Sequence, residues 1–291
     1  MSQRKGLTKL QGFRRCLPCF DSVFKNGVNI YSPDSKIAAK AGDETTMPKT
    51  KIIEDPIQNQ LLAALPKSEF EKIRPFLEPV ILKRGEVLWE ADEKNRYIYF
   101  PNTAMICLLY ETEDGQSIEV GVIGRQGLVG IATYMGDARV SNRVVVQRGG
   151  IAYRMKGKDV MKEFSECGDF QDILMCYAQS LITQISQTAI CNRLHSIEQQ
   201  LCRWLLINHD HQQTKTFLMT HDQISNLLGV RRESISMAAE HLKDRRLIEY
   251  SRGNITLLDR KGIFASACEC YRVVREQYDR MLSKYVSIHG S

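Results

Sequence analysis

A chain of 291 residues, 43% hydrophobic and 25% charged, is long enough to bury a substantial core and points to two globular domains. The formal net charge is +6, but residues 1–25 hold Arg4, Lys5, Lys9, Arg14, Arg15 and Lys25 against the single acid Asp21, so overall charge says little about what the folded part binds. No run approaches the ~18 apolar residues of a membrane span, and the basic N-terminus is not followed by an apolar signal core; a membrane class is excluded and a cytoplasmic protein is expected.

Nine cysteines form an odd set without the regular spacing of a disulfide framework, which fits a reducing compartment. Cys16-Leu-Pro-Cys19 is a lone CxxC, and a closed zinc site needs about four ligands, so chance or thiol chemistry outweighs a metal there.

Residues 1–50 mix basic residues with Gly, Ser, Pro and Thr without a sustained period and read as a disordered tail. Residues 51–168 form the first domain. Its opening, Ile57, Leu61, Leu62 and Leu65, then Phe70, Ile73, Phe76 and Leu77, gives short amphipathic helices broken by Pro66 and Pro75. From Val80 to Met155 short β-rich runs follow at 80–82, 97–100, 104–110, 118–123, 143–146 and 151–153, the spacing of a small barrel or sandwich.

Residues 169–208 read as one long helix on which Leu174, Ala178, Leu181, Ile185, Thr188 and Asn192 repeat with heptad spacing. That stripe fits either a seam with a second copy or burial against the chain's own domain.

Residues 209–262 carry the most informative pattern. Thr220 and Gln223 make a capping box for a helix with Ile224, Leu227 and Leu228 on one face, and Gly229 supplies the turn, plugged by Val230. A second helix runs from about Arg231 to Asp244 with Ile235, Ala238, Ala239 and Leu242 inward. Arg232, Glu233, Ser236 and Met237 are left outward. Arg231 and Arg232 stand at a helix N-terminus, where the dipole disfavours positive charge, and a local rule broken there points to function. Two apolar runs around Ser251-Arg252-Gly253-Asn254 then read as a hairpin. Helix, turn, helix and hairpin together make a winged helix-turn-helix, a module that reads double-stranded DNA, whereas a Gly-turned helix pair alone would be ordinary packing.

Residues 263–291 form a last helix with the stripe Phe264, Ala267, Tyr271, Val274, Tyr278, Met281 and Tyr285, expected to pack on the protein's own domains. Two positions apart on that helix, Cys268 and Cys270 point to different faces and make a poor chelating pair, so no metal site is expected.

With Arg232-Glu233-Ser234-Ile235 opening the second helix, and with Lys83-Arg-Gly-Glu-Val-Leu and Gly127-Leu-Val-Gly before it in order, residues 55–262 resemble the Crp/Fnr family of bacterial transcription regulators. The resemblance implies an α+β fold: an N-terminal β-roll sensor domain, double-stranded and jelly-roll-like, a long dimerisation helix, and a C-terminal winged helix. It makes Leu174, Ala178, Leu181, Ile185, Thr188 and Asn192 the dimer interface. Thr220, Arg231, Arg232, Glu233, Ser236 and Met237 become the DNA face, and Arg252 a phosphate contact in the wing. Arg232 would read the guanine acceptors and Glu233 the cytosine amino group. The family often has a second Arg where Met237 stands, so a different operator is expected. A homodimer on an inverted repeat follows, with RNA polymerase as a further partner for an activator.

The resemblance places an effector pocket at Gly127, Leu128, Gly130, Ile131, Arg139 and Arg143. Cyclic-nucleotide members use a Gly-Glu pair on the ribose and a later Arg on the phosphate; here Gly130 precedes Ile131 and the Arg position falls at Ser141. Iron–sulfur members use three N-terminal cysteines and one in the β-roll, but only Cys16 and Cys19 stand near the N-terminus, and haem members use a sensor-domain His, whereas the first His is His195. Cyclic AMP, haem and an iron–sulfur cluster all lose support, which leaves the effector unknown. No P-loop, dinucleotide fingerprint or metalloprotease motif argues for an enzyme. The alternative reading is a small-molecule-binding module that acts on a partner protein and carries a degenerate winged helix.

Overall fold

The computed structural model describes residues 55–289 apart from residues 114, 137, 138, 213 and 252. The expected tail over residues 1–50, with Cys16 and Cys19, lies outside the described residues. A 3-10 turn at Pro56–Gln58 leads to Asn59, whose side chain caps α1 (Gln60–Ala63), and α2 (Lys67–Ile73) follows. Asn59 is buried and its amide donates to the carbonyls of Pro101 and Gly127 at 2.8 and 2.9 Å, which fixes α1 on the sheet domain.

Seven strands then form two antiparallel sheets. β1 (Glu78–Leu82), β7 (Gly150–Lys156) and β3 (Tyr97–Pro101) make one, in that order. The other runs β2 (Val87–Trp89), β6 (Arg143–Arg148), β4 (Met105–Glu111), β5 (Ser117–Ile123). Each expected strand is present, and β2 is an addition within the Lys83-Arg-Gly-Glu-Val-Leu stretch. Short α3 (Ala132–Met135) and α4 (Gly157–Phe164) close the roll. Phe100, Ile106, Val144, Val146 and Met155 fill the space between the sheets, the burial expected where two apolar faces meet.

The long helix expected over residues 169–208 is two helices, α5 (Asp169–Leu194) and α6 (Ile197–Gln212). His195 is extended, and Ser196 opens α6 with a reciprocal cap: Gln199 N–H donates to Ser196 Oγ and Ser196 N–H donates to Gln199 Oε1. The Ser-x-x-Gln signal at 196–199 marks this break in the sequence, where the continuous apolar pattern hides it.

The stripe expected to face a second copy faces inward. Leu174, Ala178, Leu181 and Thr188 are buried, and Ile185 and Asn192 are half-buried. Leu181 and Ile185 lie over Gly121 of β5, and the other side of α5 is covered by α10 (Glu269–His289). Tyr177 and Tyr278 rings meet at 6.3 Å, and Tyr278 Oη donates to Gln184 Oε1 at 3.1 Å. Heptad spacing finds an apolar face but not its cover; here the chain's own sheet covers Leu181 and Ile185, and its C-terminal helix covers the adjoining Tyr177, Ser180 and Gln184. The outward face of α5 instead exposes Ile182, Ile190 and Leu194.

The C-terminal stripe packs on the protein's own domains, as expected, with Tyr271, Val274, Tyr278, Met281 and Tyr285 buried. It is not one helix. α9 (Arg260–Ser266) ends at Ala267, which is extended (φ −77°, ψ 156°), and α10 starts at Glu269. No helix among the described residues is long and apolar enough to cross a membrane.

Candidate nucleic-acid interface and sensor cavity

β8 (Thr216–Leu218), absent from the sequence reading, leads into α7 (His221–Leu228). Thr220 accepts from Gln223 N–H, and Gln223 accepts from Thr220 N–H, which completes the expected capping box. Gly229 ends α7 in the left-handed region (φ 65°, ψ 35°), where a glycine carries no Cβ penalty. Arg231 is extended and precedes α8 (Arg232–Asp244), whose buried face is Ile235, Ala238, Ala239 and Leu242. β9 (Ile248–Ser251) and β10 (Asn254–Leu257) form the wing, and β8 pairs with β10 to make a three-stranded sheet.

The expected DNA-facing residues fall on one side. Arg231, Arg232, Glu233 and Met237 are exposed and Ser236 is half-buried. Arg232 Nε lies 3.1 Å from Asp222 Oδ1 on α7, with both side chains more than 60% exposed. An ion pair so exposed contributes about 0–1 kcal/mol, so it costs little to exchange Asp222 for another acceptor. Arg252 lies outside the described residues. Its neighbour Gly253 (φ 78°) turns the wing beside Thr220, which a Cβ at Gly253 would approach to 3.6 Å.

His221 joins α7 to α8 and the wing, a role that no local pattern marks. Its ring stacks on Tyr250 of β9 with centroids 4.0 Å apart, and its Nδ1 lies 3.0 Å from Ser236 Oγ on α8. Burial, then the Arg232 charge, push its pKa down, so the ring is held neutral. Ser236 is thus positioned by His221.

In the β-roll, Gly130, Ile131, Arg139 and Ser141 line a cavity of about 360 Å³ together with Trp89, Leu108, Val120 and the α5 residues Leu181 and Ile185. The other three expected pocket residues do not line it. Leu128 is fully buried core, and a Cβ at Gly127 would meet Tyr177 Oη at 2.5 Å. Arg143 is drawn to Glu90 and Glu111 at 3.0 and 2.9 Å. Ser141 Oγ donates to Tyr110 Oη at 3.2 Å. Ile131 contributes an apolar side chain to the lining of that cavity.

Cys268 and Cys270 also depart from expectation. Because Ala267 is extended, Cys268 precedes α10 instead of lying on it, and the two thiols converge with Cys191 in one buried cluster.

Two family models match the chain in sequence order: a cyclic nucleotide-binding domain over residues 79–167 and a Crp-like helix-turn-helix domain over residues 199–263, together just over half of it. The chain belongs to the Crp/Fnr family. A Crp/Fnr member is a DNA-binding transcription regulator, and the matched helix-turn-helix domain holds α7, α8 and the wing. Solved relatives share the fold at low identity. A Eubacterium rectale protein assigned to the Crp/Fnr family of transcriptional regulators has a TM-score of 0.57 at 15% identity, over 73% of this chain and 97% of that one. FixK2 from Bradyrhizobium japonicum has a TM-score of 0.56 at 13% identity, over 66% and 98%. The c-di-GMP-responsive regulator CLP of Xanthomonas campestris has a TM-score of 0.51 at 11% identity, over 66% and 99%. Comparison with curated proteins finds no match.

Proposed function

We propose that this Crp/Fnr regulator acts as a homodimer that reads an inverted repeat, with Arg232 and Glu233 as its base readers. The observation that carries the reading is the exposed Arg232-Glu233 pair at the start of α8, the helix that follows the Gly229 turn. Arg232 suits the guanine O6 and N7 acceptors and Glu233 the cytosine amino donor. Arg232→Ala and Glu233→Ala are each expected to weaken specific binding by about 1–3 kcal/mol and to relax preference at one position per half-site. Selection from random DNA followed by titration of wild type and variants checks this; equal losses on specific and random DNA remove both residues from the reading role.

The second copy joins along the outward face of α5, where Ile182, Ile190 and Leu194 are exposed beside Ala189. Exposed apolar residues repeated along one helix favour burial against a partner, and two such helices side by side set two winged domains on successive major grooves, about 34–36 Å apart.

Cyclic AMP is not the effector in this reading. Ile131 leaves the ribose hydroxyls without an acidic partner, Ser141 stands at the phosphate position, and Arg143 is already paired with two carboxylates. Millimolar cyclic AMP is expected to leave thermal stability and DNA affinity unchanged. A ligand of the folded state at about 100 times its dissociation constant adds roughly 2.7 kcal/mol, so calorimetry detects the opposite outcome as a saturable rise in Tm.

A further inference from the structure

Four metal-binding side chains meet where the DNA-binding domain joins the sensor domain. Cys191 lies in the last turn of α5 and His195 follows that helix, while Cys268 precedes α10 and Cys270 lies in its first turn. The three thiols are at most 5% exposed, and the His195 side chain is 14% exposed. Cys191 Sγ is 3.5 Å from Cys268 Sγ, Cys270 Sγ is 3.5 Å from His195 Nδ1, and all four ligand atoms lie within 4.8 Å of one another.

We propose that Cys191, His195, Cys268 and Cys270 bind one zinc ion that staples the α5–α6 junction to the α9–α10 junction. A tetrahedral ion with Zn–S near 2.3 Å and Zn–N near 2.0 Å sets its ligand atoms about 3.5–3.8 Å apart; two of the pairs here stand at 3.5 Å and the rest lie within 4.8 Å. A two-iron cluster divides its ligands between two metals and holds the pairs farther apart than this cluster does. Three soft thiolates and an imidazole, all enclosed, match a structural zinc site with no open position.

The surroundings fit as well. His195 Nδ1 faces the thiols while its Nε2 lies 3.3 Å from Glu269 Oε1, so the carboxylate can hold the ring in the tautomer that frees Nδ1 for metal. Binding releases the three thiol protons to solvent and leaves a centre with a net charge of −1. The N-terminus of α10, whose first turn holds Cys270, offsets that charge. Cys191 and Cys268 are 77 positions apart, so the ion closes a long loop across the extended residue His195, the joint between α5 and α6.

The test uses the full chain, freed of any chelating tag, with zinc measured by mass spectrometry of the metal. Wild type and a Cys16→Ser/Cys19→Ser variant are expected to hold one zinc per chain, and Cys268→Ser and Cys191→Ser less than a tenth of that. In wild type, cobalt(II) substituted for zinc should show the ligand-field and sulfur charge-transfer bands of a tetrahedral thiolate centre, which keeps the test valid if a variant misfolds. Alkylation mapping of wild type should label Cys191, Cys268 and Cys270 only after a chelator strips the metal. Any of four results overturns the proposal: no stoichiometric zinc after dialysis against it, zinc lost with Cys16 and Cys19, iron with acid-labile sulfide in its place, or a Cys191–Cys268 disulfide in protein prepared under reducing conditions.

Discussion

Ile182→Asp and Ile190→Asp are each expected to turn the proposed homodimer into a folded monomer, with DNA affinity lowered by about 10²–10⁴-fold, the usual gain from joining two binding modules. Both side chains are exposed, at 50% and 41%, so the charge costs the monomer little and is felt only when a second α5 packs on it. Leu181→Asp is the discriminating control. Leu181 is buried between α5 and β5, so its carboxylate would have to be desolvated within one chain, at a cost on the order of 4 kcal/mol, and the variant should lose thermal stability at any concentration. Sedimentation separates the two patterns. An intact Ile182→Asp dimer together with a folded, monomeric Leu181→Asp protein would return the interface to the stripe that heptad spacing selects.

That contrast shows what the sequence makes legible. The winged helix was readable almost residue by residue, because a capping box, a left-handed glycine and a wing turn are local chemistry: Thr220, Gln223, Gly229 and Gly253 need only their neighbours to be interpreted. The strands of the β-roll were readable for the same reason. What escaped was tertiary. An apolar stripe on α5 looks the same whether a partner or the chain's own sheet covers it, and only the fold shows Leu181 and Ile185 over Gly121 of β5, with Tyr278 and Met281 of α10 on the adjoining side. Two breaks escaped because apolar periodicity runs across them, at His195 and at Ala267, and those breaks bring Cys191, His195, Cys268 and Cys270 together. Cys191 and Cys268 are too far apart in sequence for any spacing rule to join them.

The second large effect is expected at Glu119, on β5 where the sheet meets α6. Its carboxyl is buried; the Cys107 thiol on β4 donates to it at 2.8 Å and the Gln147 amide on β6 at 3.3 Å, while Arg203 acts from α6. Burial pushes its pKa up to about 7, against the Cys107 hydrogen bond and the Arg203 charge, which favour the ionised form. A pKa raised on folding means that the folded state prefers the protonated acid. This contribution is therefore fully present below about pH 4.5 and is lost as pH rises through about 7, amounting to on the order of 3 kcal/mol. Glu119→Gln keeps the shape, keeps an acceptor for the Cys107 thiol and cannot ionise. Urea unfolding of wild type and Glu119→Gln between about pH 5 and 8 should show wild type losing stability relative to the variant steadily up to about pH 7 and levelling off above it. The Ile207 side chain of α6 packs beside Met105, Cys107 and Val122 in the same cluster, so ionised Glu119 is expected to loosen α6 on the sheet first, and amide protection in α6, taken relative to the intrinsic exchange rate at each pH, should fall with pH in wild type alone. Parallel stability profiles for the two proteins would mean that Glu119 is already ionised in the folded state at neutral pH, held by Arg203.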